Sequence, residues 1–74
     1  MPRYYFHTRD GHVVRDEEGV LLEDAAAARR QGLAVMGEIL RYQDESFWRT
    51  GEFAVQVVDE DRNSVVTLMV KATP

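Results

Sequence analysis

Two histidines and four carboxylates crowd the first eighteen residues: His7 and His12 with Asp10, Asp16, Glu17 and Glu18. Imidazole nitrogen and carboxylate oxygen are both ligands for divalent cations, and a hairpin here would gather them at one end. No HxxxH or HxH spacing fixes a ligand set, however. The pair therefore reads as two part-exposed histidines in polar company, with no metal site assigned. A weak metal-responsive module on His7 and His12 is the second alternative. The acidic run Asp16–Gly19 lacks the twelve-residue spacing and closing Glu of a calcium loop. It and Asp59–Asp61 read as solvated turns. Nucleophilic chemistry is thinly supplied: Ser46 and Ser64 stand in polar stretches with no base beside them. The glycines form no G-x-G or GK[ST] phosphate cradle. Glu23 and Asp24 would repel an anion from the helix start they precede. No enzyme activity, catalytic residue or cofactor is expected.

Binding surfaces are better supplied. Arg3, Tyr5, His7 and Arg9 alternate along one stretch, and basic and aromatic residues interleaved on an open sheet are how many proteins stack RNA bases. The net charge of −4, with Glu52 and Gln56 outward on another strand, disfavours nucleic acid, which stands as the first alternative. A second set is apolar. Tyr5, Ala54, Val58, Val65 and Met69 fall at outward positions of their strands, beside His7, Gln56 and Thr67. An apolar patch rimmed by charge is what a protein interface looks like. Trp48 either caps the open end of the core, the preferred reading, or anchors a contact. The expected role is thus a non-enzymatic interaction or accessory domain acting through its open sheet face or an edge, with a protein partner or as a homodimer. Its interface candidates are Tyr5, His7, Trp48, Val58, Val65 and Met69, with Arg3 at the rim.

Those residues need elements to position them. Asp24 to about Gln43 reads as the only helix, its stripe Ala25, Ala28, Gly32, Met36, Ile39 and Leu40 recurring at helical spacing. Asp24 is a good N-cap, and Asp44 and Glu45 argue for a stop before them. Twenty helical residues would run about 30 Å against ~20 Å for six-residue strands, so the helix must cross the sheet diagonally, overhang it or fray near Arg41–Gln43. Residues 3–9, 12–16, 52–58 and 64–71 read as strands, with Tyr4, Phe6, Phe53, Val55, Val57, Val66, Leu68 and Val70 inward. Asp10-Gly11 signals a hairpin. A three-residue loop pairing Thr8 with Val14 is preferred because it keeps Phe6 away from Arg15. Val20–Leu22 plug the sheet edge, residues 44–51 connect helix to third strand, and Ala72–Pro74 are a free tail. The fold class is α+β: a ββαββ two-layer domain over residues 1–74, one helix on a four-stranded, mainly antiparallel sheet, with strand order open.

At 74 residues with 45% hydrophobic content, the chain supports one domain with one core. It contains no cysteine, which excludes disulfides, thiol catalysis and Cys-based zinc sites. No apolar run approaches a membrane span, and Met1–Asp10 lack a signal peptide's apolar core. A cytoplasmic setting is expected, with no membrane partner.

MPRYYFH, then RDG, RDEEGV, a D-x-x-x-A helix and VVDEDRNSVVTLMV after a Trp-containing connector together resemble a family of small bacterial single-domain proteins known only as a domain of unknown function. The resemblance covers essentially the whole chain, most specifically Pro2–His7, Arg9–Gly11 and Arg15–Gly19. It departs at Asn63, where the family usually has Gly, and in Gly32 and Gly37. It implies the fold and a bacterial cytosolic setting, and no mechanism.

Overall fold

A computed structural model describes residues 1–43 and 45–74. Asp44, where the sequence reading starts the connector and stops the helix, lies outside the described residues. Seven elements follow in order: β1 (Arg3–Arg9), β2 (Val13–Val14), β3 (Val20–Leu21), α1 (Ala25–Arg41), α2 (Glu45–Thr50), β4 (Glu52–Val58) and β5 (Ser64–Lys71). The sheet is antiparallel in the order β2-β1-β4-β5, with β3 also on β1.

The helix begins where its cap directs. Asp24 is extended, and its carboxylate accepts from the Ala27 N–H at 2.9 Å, satisfying one of the donors a helix start leaves free. Seventeen residues span about 25 Å at 1.5 Å each, so ending at Arg41 brings α1 close to the length of its seven- and eight-residue strand partners. Ala28, Gly32 and Met36 are buried, with Val35, Ile39 and Leu40 half-buried against the same cluster. Ala25, expected in the stripe, is exposed.

Gly32 marks the closest approach of helix to sheet. A Cβ there would stand 2.9 Å from Cγ2 of Val57, which is fully buried and has nowhere to move. Gly37, one turn on, faces open space. The two glycines should respond oppositely to alanine. Gly37→Ala is expected to gain about 0.5–1 kcal/mol through helix propensity alone. Gly32→Ala makes the same gain but overpacks the core by about 1–3 kcal/mol, for a net loss of about 1 kcal/mol. Thermal melts of the pair check this; a Gly32→Ala variant that melts above the wild type would mean the layers can separate freely.

β4 is the central strand and the core is densest there: Phe53, Val55 and Val57 are buried toward the helix, beside Tyr4 and Phe6 of β1. The first hairpin has the three-residue loop, pairing Thr8 with Val14 and Arg9 with Val13. Gly11 sits in it at φ +114°.

Several expectations need correction. The second strand is two residues, not 12–16, because Arg15–Gly19 leaves the sheet as a bulged loop. Val20 and Leu21 do not merely plug an edge; they pair with Tyr4 and Arg3 as a fifth short strand. The chain has a second helix, α2, within the expected connector. There Phe47 closes the core end and Trp48 stacks edge-on against it at 5.2 Å, itself 70% exposed. Phe47 therefore does the capping assigned to Trp48. In the last turn the left-handed residue is Arg62 (φ +67°). The Asp59 carboxylate bonds the N–H groups of Asp61 and Asn63 and holds that turn in shape.

Candidate functional site

Strand β1 has two edges, and its ladder alternates between them. The Ala72 N–H donates to the Gly51 carbonyl at 2.9 Å, which sets the phase of the whole sheet. Counting back, Val70, Leu68 and Val66 bond to β4, and on β1 Tyr5, His7 and Arg9 bond to β4. Tyr4, Phe6 and Thr8 then turn their backbone groups the other way. Each finds a partner: Tyr4 pairs with Val20, Thr8 with Val14, and the Phe6 N–H donates to Asp16 Oδ2 at 3.1 Å. Asp16 thus stands in for a strand where the loop bulges.

The same carboxylate organises the loop. Its Oδ1 accepts from the N–H groups of Glu18 (3.1 Å) and Gly19 (3.0 Å), and the Asp16 N–H donates to His7 Nδ1 at 3.0 Å. Partial burial raises the carboxyl pKa. The Gly19, Phe6 and Glu18 donors and the nearby His7 outweigh it and hold the pKa below the ordinary carboxylate value. Arg3 completes the latch, donating from Nη1 to the Glu18 carbonyl at 2.7 Å. With Gly19 packed on Arg3 and Tyr5, the Arg15–Gly19 loop roofs part of the sheet face that the helix leaves open. Asp16 was read from sequence as a solvated turn residue. The signal that could have found it is an Asp three residues before a Gly, the signature of a side chain folding back on its own backbone.

What remains of the open face is a groove of about 540 Å³ floored by Tyr5, His7, Gln56 and Val58, with Arg15 and Glu17 on one wall and Glu60 and Arg62 on the other. Charges of both signs line it. Arg3 and His7, placed by the first alternative on a base-stacking surface, are held by the loop, and the Arg3 N–H donates to Glu60 Oε1 at 3.1 Å. Arg9 is exposed at the far end. His12 is exposed in the hairpin turn, 3.7 Å from Asp10. Among the described residues no three His, Cys, Asp or Glu side chains are placed to hold a metal ion. Ser46 donates to Gln43 Oε1 at 2.8 Å and lies outside the groove.

The apolar interface candidates divide. Met69 is half exposed on the open face and Tyr5 half-buried beneath the loop. Val58 is 7% exposed and Ala54 5%, because Tyr5 lies across from Val58, and Arg9 and Met69 flank Ala54. Neither can anchor a partner. Val65 is corrected too. The register slips by one residue between Val57 and Val58, leaving Val65 as the extra residue of a bulge packed against the core cluster.

The remaining feature is the outer edge of β5. Among the described residues no backbone or side-chain group meets the outward N–H and C=O groups of Thr67, Met69 and Lys71. The core is also thin there. Val66, Leu68 and Val70 are only half-buried, whereas their β4 neighbours Val57, Val55 and Phe53 are at most 3% exposed. Sheet edges are commonly blunted by charge, proline or a bulge. Here the bulge and Lys71 lie at the two ends, and Val66–Val70 between them carries no charge, Pro or Gly. No helix among the described residues is long and apolar enough to cross a membrane.

The model of a family described as a domain of unknown function, DUF6894, matches residues 3–71. No curated protein and no solved structure matches the chain.

Proposed function

We propose that this chain, which belongs to the DUF6894 family, is a non-enzymatic protein-contact domain whose contact element is the free edge of β5. A family of unknown function brings no activity with it, so the reading rests on the chain's own surfaces. One contrast carries it. The β1 edge is covered by β2, by β3 and, at the Phe6 N–H between them, by the Asp16 carboxylate, whereas the eight-residue β5 edge is unoccupied among the described residues and lies over a half-open core. An added strand would satisfy the outward backbone groups of Thr67, Met69 and Lys71 and bury Val66, Leu68 and Val70 in one step. Within the groove, His7 and Asp16 are engaged in holding the Arg15–Gly19 loop, and Asp59 in holding the last turn.

The phase of the ladder supplies a selective test. Thr67 points its N–H outward, so Thr67→Pro removes an edge donor without touching the bonds to β4, and proline is tolerated at such positions. A tagged wild-type chain and Thr67→Pro are used as baits in lysate of the source cell, with Thr67→Lys as the second variant should proline disturb the strand. Proteins held by the wild type, further copies included, are expected to fall at least tenfold on both variants. Retention unchanged by either substitution would place the contact surface elsewhere.

A further inference from the structure

We infer that the strand completing the sheet is β5 of a second copy of this chain, antiparallel and centred on Leu68. This rests on the reading of β5 as the contact edge and adds the partner and the register. Two constraints select the pairing. Beyond the bulge the outward backbone groups belong to Thr67, Met69 and Lys71, so odd-numbered residues must face odd-numbered residues of the other copy. Side chains directly opposed across a ladder share a face, so Val66, Leu68 and Val70 must also oppose one another. Both conditions are met only when opposed residue numbers sum to an even value.

The sequence of the strand then chooses among the even registers. Val66-Thr67-Leu68-Met69-Val70 reads nearly the same in both directions: Val, Leu, Val inward, with one uncharged residue between each pair. A two-fold contact requires such self-complementarity, because each patch must fit its own copy. With the axis at Leu68, Leu68 opposes Leu68, Val66 opposes Val70 and Thr67 opposes Met69. Moving the axis to Thr67 sets Val70 against Ser64, and moving it to Met69 sets Val66 against Ala72. Only the Leu68 register opposes all three inward residues with large apolar ones. It also keeps the two Lys71 ammonium groups roughly 20 Å apart, each six residues along from the other, so no like charges meet. The product is one continuous sheet whose two unprotected edges have become its centre.

The absence of cysteine makes the test clean, since a single introduced thiol has only its own copy to join. Opposed residues of a non-hydrogen-bonded pair lie about 4.5 Å apart at Cα, inside the range a disulfide spans. Leu68→Cys is therefore expected to oxidise to a covalent dimer. Thr67→Cys meets its twin only diagonally, and Val66→Cys is four residues from its own, so both should link at least tenfold more slowly. Folding of each variant is verified by circular dichroism, and light scattering of the wild type and Thr67→Pro is measured over a dilution series. A dimer lost in Thr67→Pro with cross-linking selective for position 68 bears the inference out. A proline-sensitive dimer that links elsewhere, or nowhere, overturns this register while the edge reading stands. A wild type that is monomeric up to several hundred micromolar overturns self-pairing and leaves the edge to another protein. A dimer indifferent to Thr67→Pro overturns both.

Discussion

Gly19→Ala is expected to lower the melting temperature by on the order of 10–30 °C, enough to unfold much of the population of a domain this small. Two costs combine. Gly19 sits at φ +70°, a conformation that costs an L-residue roughly 1–2 kcal/mol. Its position is also crowded: a Cβ would stand 2.8 Å from the Tyr4 carbonyl oxygen, 2.8 Å from Arg3 Cγ and 3.0 Å from Tyr5 Cδ2. The carbonyl belongs to β1 and cannot yield without disturbing its pairing with Val20, so overpacking adds about 1–3 kcal/mol. Gly51 separates the two costs. It has nearly the same φ, +72°, with nothing within 4 Å of its would-be Cβ. Gly51→Ala should therefore incur the conformational cost alone and lose about a third to a half as much. Equal losses in melts of the two variants would mean that the loop does not press on the sheet face.

Asp16→Asn is expected to cost about 1–3 kcal/mol at pH 7, because the amide cannot accept from three backbone donors at once. Whichever way it turns, its NH₂ confronts the N–H of Phe6 or those of Glu18 and Gly19. The loss should depend on pH with a definite sign. The folded Asp16 has a lowered pKa, so below the ordinary 3.8 the unfolded chain binds more protons than the folded one, and stability rises with pH through that window. The carboxylate's contribution is whole above the unfolded value and disappears as pH falls through the depressed folded one. Melts of wild type and variant should thus differ most at neutral pH and converge below about pH 4. A gap that stays constant down to pH 2.5 would show that the loop does not depend on the Asp16 charge. The same variant should loosen Arg15–Gly19 while leaving the β5 edge untouched, which separates the two features experimentally.

The elements with strong local signals were legible in the amino-acid order. Asp24 could cap a helix from its own type and position, and it does. The alternation Tyr4/Phe6 and Phe53/Val55/Val57 named the inward faces correctly, since side-chain direction in a strand follows from period alone. The Thr8–Val14 register followed from keeping Arg15 out of the core. The misplaced residues share a cause. Val58 and Ala54 do lie on the face away from the helix, but whether an outward residue is exposed depends on its cross-strand neighbours. Val65 was turned inward by a one-residue slip that no local pattern announces. Trp48 and Phe47 are adjacent on a short helix, and only the approach of that helix to β4 decides which ring closes the core.

Local periodicity and capping thus determined the main helix, the three long strands and the core faces, because each depends on residues a few positions apart. Strand order, the roofing of the open face by the Asp16 loop, and the contrast between a closed β1 edge and an open β5 edge were decided by tertiary structure. Each depends on which backbone groups remain after distant strands have paired, and every N–H or C=O looks alike until its partner is in place.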